Sequence, residues 1–490
     1  SRRQRQMCIR DRSGEIALAS GFIFDYSNMI NTDTITPAVI ETLESKAKDA
    51  ADALLLIREQ GMAKAHLSKD GTPEHVLFTK LPFVKNGNPN TPESIAKLKQ
   101  FGSYLQQEID AVVFLGVGGS YLGNKVLFDI FAGSGWNVGC EKRRHGYPRV
   151  YFSGNNLDVD QYSEVVDEVE YLATHRLGKN EQFRVLLVPI SKSGTTLETL
   201  AAFSYFYEQC QKSSLLQMEV AVVTDLDEDI SPLYNLAKEN VWQCFDIKEG
   251  IGGRFCIFSD PGLITAAAIG MDIDAFLCGA RDMENACQSA SLGENPALLN
   301  AVLKYAAAEK GVDIEVFMPY AAKMKSVGEW YVQLLAESLG KRKDREGNVV
   351  YYGRTPVSAV GSTDMHAQTQ QHQDGKKDKV IQFVEILERE QQIVLNNPFT
   401  HISSLKKYDG LSVDHALKIA LAANEEALNS DGRLNAKYIL PRIDEYYLGQ
   451  LLYFLMLSVA YEGELADVDA YDQPGVETYK QIMKQKMSHQ

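Results

Sequence analysis

No C-x-x-C pair occurs in this sequence, and its seven cysteines (Cys8, Cys140, Cys210, Cys244, Cys256, Cys278 and Cys287) are odd in number and scattered. That pattern argues against a zinc site and against a disulfide framework. It fits a reducing, cytoplasmic compartment. No apolar run is long enough to span a bilayer. The longest, Leu451 to Tyr461, falls well short of the ~20 residues a span needs; it is expected to be a buried helix, with no membrane partner. Positive charge is also in short supply. Fifty Lys and Arg against 65 Asp and Glu leave a net charge of −15, which disfavours a nucleic-acid partner. An anionic substrate stays open, because a local cluster of cations and backbone N–H groups can oppose the global sign. Tandem repeats and low-complexity linkers are absent.

The chain has 490 residues, 45% hydrophobic and 23% charged, a globular composition with length for roughly two to four domains. Residues Ser1 to Ser13 carry five arginines with no apolar segment behind them. They do not read as a secretory signal and are expected to be a disordered or non-native extension.

From about residue 35 to 110 the pattern predicts helices, with starts at Thr36-Pro37 and Thr91-Pro92. Short apolar strands are then predicted at Ala111–Leu115, Arg149–Ser153, Val185–Ile190, Glu219–Thr224 and Val241–Ile247. The alternation recurs, with strands at Asp313–Met318, Pro356–Val360 and Val380–Leu387 and helices at Ser326–Gly340 and from Ser362 onward. Helices follow at Ser412–Asn429 and Asp444–Tyr461. Strands alternating with helices signal doubly wound parallel sheets, so the fold class is α/β. The expected division is 14–100 helical, 101–290 first α/β domain, 291–440 second α/β domain and 441–490 C-terminal helices.

Six segments carry candidate chemistry. Gly116 to Gly123 follows a strand and opens a helix, where glycines admit a ligand to the backbone and the helix start favours an anion. A tight structural turn accounts for it equally well, and the spacing is not the dinucleotide fingerprint. Ser191-Lys192-Ser193-Gly194-Thr195-Thr196, with Thr199 one turn on, offers hydroxyls, an ammonium and free helix-start N–H groups, which is what a phosphate needs. It lacks the Walker A order. Gly252-Gly253-Arg254-Phe255 can bring a guanidinium against a developing oxyanion, or hold a structural arginine. Gln333 and Glu337 share one helix face beside Trp330, Leu334 and Leu335, which makes Glu337 a candidate general base. His366, in Ser362 to Gln368, lies near a carboxyl strand end, where open sheets place their sites; His372 and His401 have no such context. Finally, Gln473 precedes a helix start and Lys480 lies within that helix.

Together these segments, in this order, resemble the glucose-6-phosphate isomerase family in its bacterial form, over nearly the whole chain from Gly21 to Lys480. The resemblance implies a pair of sugar-isomerase (SIS-type) α/β sandwich domains wrapped by helices. It implies that Ser191, Lys192, Ser193, Thr195, Thr196 and Thr199 hold a sugar phosphate, and that Gly119, Ser120, Gly253, Gln333 and Gln473 touch substrate. Glu337 matches the proton-shuttling base, Arg254 the residue that stabilises the intermediate, and His366 with Lys480 the ring-opening pair. The substrate would be a hexose 6-phosphate, glucose 6-phosphate going to fructose 6-phosphate through a cis-enediolate in glycolysis and gluconeogenesis. Neither cofactor nor metal is implied. Homodimers with shared active sites are, the histidine reaching the neighbouring subunit's site. Cys256 departs from the family's usual Ser or Thr, and a modest effect is expected from it. The alternatives are a dual phosphoglucose/phosphomannose isomerase and a non-catalytic sugar-phosphate-binding regulator, the latter having no need of Glu337, His366 and Lys480.

Overall fold

Near-continuous apolar runs bounded by glycine and helix-start signals become buried parallel strands, because both faces of such a sheet are covered by helices. The computed structural model describes residues 14–31, 34–68, 70–179 and 181–488; the arginine-rich extension at Ser1–Ser13 lies outside them. The chain falls into two units. One holds Pro73–Leu277, and the other holds the residues from Cys278 onward with earlier segments, among them Ala63–Thr72.

The sheet of the Pro73–Leu277 unit runs, edge to edge, Arg149–Ser153, Ala111–Leu115, Phe183–Pro189, Leu216–Thr224 and Gln243–Asp246. All its pairings are parallel. In chain order this is 2-1-3-4-5, the doubly wound order whose switch point lies between strands 1 and 3. Helices Leu197–Lys212 and Val159–Thr174 cover one face through a cluster that includes Val113, Leu187, Phe203 and Phe206.

The sheet of the C-terminal unit has four parallel strands in the order Asn435–Leu440, Lys379–Ile386, Ile314–Pro319 and Thr355–Ser358. Two more strands extend it: Ile23–Asp25 pairs antiparallel with Asn435–Leu440, and Glu15–Ala17 pairs with Ile23–Asp25. Residues 14–25 therefore complete a sheet whose other strands lie some three hundred residues away or more, which no local pattern announces. The stretch expected to be helical from 35 to 110 contains helices Pro37–Gln60 and Pro92–Glu108, but also strands Met62–Leu67 and Pro73–His75 between them. Helix Glu445–Leu465 contains the apolar run Leu451–Tyr461, every residue of it buried. Among the described residues no helix is long and apolar enough to cross a membrane.

One helix differs from expectation. After Thr355–Ser358 the chain forms a short 3₁₀ turn, Thr363–Met365, and only a six-residue helix, Thr369–Asp374. Asp364 Oδ2 accepts the Val360 N–H at 2.6 Å, a local side-chain bond of the kind that competes with regular helix.

Candidate active site

In the Pro73–Leu277 unit two predicted segments emerge side by side at the switch point. Leu115 is in register with Pro189, and Ile190 N–H donates to Leu115 O at 2.8 Å. Beyond these strand ends lie Gly116–Gly119 and Ser191–Thr196. Within the second loop the hydroxyls pair: Ser191 with Thr196 at 2.8 Å, Ser193 with Thr195 at 2.9 Å. Thr196 stands at the N-cap of Leu197–Lys212 yet its side chain does not cap that helix. The first-turn N–H groups are left for an anion, at the favourable end of the dipole. Lys192 and Ser193 are exposed, whereas Thr199 is fully buried. Its hydroxyl has no hydrogen-bond partner among the described residues.

The loop is braced from the next strand. Ser191 N–H donates to Val223 O at 3.0 Å, and the Thr224 hydroxyl donates to Ser191 O at 2.7 Å. Gly194 has φ +62°, and a Cβ there would stand 2.3 Å from Ser231 Oγ, so this corner accepts glycine alone.

Gly119 and Ser120 open the helix Gly119–Leu127, again without a side-chain cap. A Cβ on Gly119 would lie 2.0 Å from Gly253 O. The two glycines thus let the Gly252–Phe255 backbone approach the glycine turn. Arg254 sits in the 3₁₀ segment Gly253–Phe258, is 1% exposed, and has its guanidinium 5.5 Å from the Phe255 ring centre. Cys256 donates its thiol to Gly119 O at 3.4 Å. Burial pushes that thiol up to about 12, so it remains a protonated, weak donor. Gly119, Ser120, the Ser191–Thr199 segment, Gly253 and Arg254 are therefore assembled along one carboxyl edge of this sheet.

The C-terminal unit carries the others. Helix Lys325–Leu339 follows strand Ile314–Pro319. Trp330, Leu334 and Leu335 are buried at 1%, 0% and 0% exposure, which fixes the helix on its apolar side. Gln333 and Glu337 are half-buried, and Gln333 Nε2 donates to Glu337 Oε1 at 3.1 Å. The spacing seen in the sequence is thus an actual hydrogen bond that orients the carboxylate. Lys341, 5% exposed, belongs to none of the six motifs. Its ammonium donates to Glu337 O and to Asp472 O, each at 2.7 Å, and lies 3.0 Å from Asp472 Oδ1. It ties the end of the Glu337 helix to the segment Tyr471–Lys480. The available signal was a third polar residue at four-residue spacing: Gln333, Glu337, Lys341.

Gln473 is exposed at the start of the turn Pro474–Val476. Lys480 lies in helix Glu477–Met487, exposed, 3.6 Å from Glu477 Oε1. His366 is exposed beyond the 3₁₀ turn, on the segment that leaves the carboxyl end of Thr355–Ser358. Among the described residues no cluster of three or more His, Cys, Asp or Glu is placed to hold a metal ion, and the six described cysteines are all free.

The sequence pattern of the phosphoglucose isomerase family matches residues 93–490. A glucose-6-phosphate isomerase from Carboxydothermus hydrogenoformans is 34% identical over 403 residues, covering 82% of this chain and 83% of that protein. One from Methanocaldococcus jannaschii is 32% identical over 393 residues, covering 80% and 86%. Among solved structures, a hypothetical protein from Thermus thermophilus superposes with TM-score 0.75 at 27% identity, covering 92% of this chain and 97% of that one. A glucose-6-phosphate isomerase from Chlamydia trachomatis superposes with TM-score 0.78 at 22% identity, covering 98% and 90%, which speaks for the fold. These matches favour neither the dual-specificity nor the non-catalytic alternative. With the family pattern running over most of its length and relatives above 30% identity covering most of it again, the chain belongs to the phosphoglucose isomerase family.

Proposed function

We propose that this protein interconverts glucose 6-phosphate and fructose 6-phosphate through ring opening and a cis-enediolate. As a family member the chain is an aldose–ketose isomerase. The observation that carries the residue assignment is the loop Ser191–Thr196 at the switch point, beside Gly119 and Arg254 on one sheet edge.

In this proposal the uncapped helix start and the loop hydroxyls take the phosphate, whose remote binding energy positions the reacting carbons. His366 and Lys480 transfer protons at the ring oxygen and O1 to open the sugar. Glu337 removes the proton from C2 and returns it to C1; the bond from Gln333 holds its carboxylate in one orientation for both steps. The oxygen that gains charge between these steps needs a fixed cation, and Arg254 is permanently charged. We assign Gln473 and Gly253 to the sugar hydroxyls. The functional form is a cytoplasmic homodimer in which His366 serves the neighbouring subunit's site, consistent with its exposure on the single chain.

The test is conversion of fructose 6-phosphate to glucose 6-phosphate in a coupled assay, with Glu337→Gln beside the parent. The variant is expected to bind sugar phosphate and to lose about 10²- to 10⁴-fold in kcat, the usual range for a general base. Near-parental turnover would remove Glu337 from the reaction.

A further inference from the structure

The C-terminal unit has a second cationic feature, at the end of its sheet opposite the carboxyl edge. A cavity of about 90 Å³ is lined by Lys310, Lys377, Lys379, Arg433, His372 and Thr34. By a measure of roughly 10–15 Å³ per water position, it has room for a phosphoryl group and the atoms bonded to it. Lys379 opens the strand Lys379–Ile386, and Arg433 stands just before Asn435–Leu440. The cavity is thus separated from the carboxyl edge by the length of an eight-residue strand, roughly 25 Å.

Its charge is out of keeping with a chain of net charge −15. Two carboxylates pair with three of the four cations. Asp431 is shared, 3.1 Å from Lys377 and 2.8 Å from Arg433, and Asp378 pairs with Lys379. Positive charge is left over. At the cavity wall, His372 is 4% exposed and its Nδ1 has no hydrogen-bond partner among the described residues. A buried polar nitrogen without a partner is costly. Burial above all, then repulsion from Lys379, partly offset by Asp364, with a smaller contribution from Arg433, pushes its imidazole down to about 4.

We propose that this cavity is a second anion site, taking the phosphoryl group of a small phosphorylated compound or free phosphate, with His372 Nδ1 and the Lys310, Lys377, Lys379 and Arg433 head groups as its donors. Cationic groups around a phosphoryl oxygen form charge-assisted bonds stronger than neutral ones. The site is independent of the assignments at Ser191–Thr196, Glu337 and His366.

The test follows the imidazole resonances of the full chain, ¹³C-labelled at histidine, with His372 identified by its loss in His372→Gln. Inorganic phosphate is titrated in one arm, fructose 6-phosphate in a second, and potassium chloride at matched ionic strength in a third. A saturable His372 shift with phosphate or with the sugar phosphate, absent with chloride, is expected; which arm produces it tells free phosphate from a phosphoryl ester. The chain carrying Lys310→Glu and Lys377→Glu, both exposed positions, should keep isomerase activity within about twofold and weaken the His372 response at least about tenfold. Calorimetry should count one phosphate fewer per chain for that double variant than for the parent, a readout that stands even where His372→Gln does not fold. A resonance unmoved by both phosphates, a chloride shift equal to theirs, or equal stoichiometry in parent and double variant overturns the site.

Discussion

Lys341 shows what a single residue outside the six candidate segments can contribute. It lies one helical turn past Glu337 and is almost fully buried, so its charge is held by the oxygens it meets, among them two backbone carbonyls and the Asp472 carboxylate. Losing it leaves those acceptors to water and frees the Tyr471–Lys480 segment from the end of the Glu337 helix. A displacement of about 1 Å at a reacting group can lower a rate about 10²-fold. Lys341→Met is therefore expected to lower kcat about 10- to 100-fold while changing KM less than about threefold, because its effect falls on the end of the proposed site that carries Glu337 and Lys480. A folded variant with parental kcat would show the tie to be dispensable. His366 bears a different expectation. If it acts in ring opening, His366→Ala slows turnover of the closed-ring sugar more than that of an open-chain analogue by at least about tenfold. Equal losses on both substrates would take it out of that step.

At the scale of elements, strands were legible in the sequence where an apolar run ended in glycine or hydroxyl residues. Ala111–Leu115 and Arg149–Ser153 appear at the predicted bounds, and the others within a few residues. The placement of the candidate segments followed from the same signals, since the glycine turn and hydroxyl loop directly succeed strands. Other features left no local trace. Glu15–Ala17 and Ile23–Asp25 are strands only because Asn435–Leu440 offers them an edge, and three residues are too few to show a period. Glu315 is harder still, a carboxylate in a strand with no exposure. Burial alone would raise it, but Lys304 and Arg354 hold it down at about 2, and those partners come from elements that no local pattern brings together. Gly119 marks a contact between elements that can be tested directly. A methyl there would collide with the backbone of Gly253, not with a movable side chain. Either the helix Gly119–Leu127 or the 3₁₀ segment carrying Arg254 must shift. Gly119→Ala should accordingly lower kcat/KM about 100-fold or more, with far-UV circular dichroism unchanged. Parental kcat/KM would mean that the close approach has no part in the site.

For the molecule as a whole, the proposed homodimer turns on whether His366 serves its own chain's site or the neighbouring subunit's. Glu337 is half-buried on a helix fixed by an apolar face, whereas His366 stands exposed on an irregular segment after a strand at the sheet edge. An exposed proton-transfer group is poorly placed to exclude water by itself, and a partner surface would supply that exclusion. In a symmetric dimer the same patch serves both subunits. Mixing then gives a sharp outcome. Chains with Glu337→Gln and chains with His366→Ala are each expected to be nearly inactive as homodimers. When they are co-refolded, each mixed dimer contains one site with two lesions and one with none, provided the histidine crosses over. Random pairing makes about half the dimers mixed, and one of their two sites works, so about one quarter of parental activity should return. If His366 instead serves its own chain, both sites of a mixed dimer carry a lesion and nothing returns. The recovered activity should also fall on dilution toward the dimer's dissociation constant, in step with the dimer fraction measured by sedimentation. Recovery that ignores dilution would place the complementation somewhere other than a shared site.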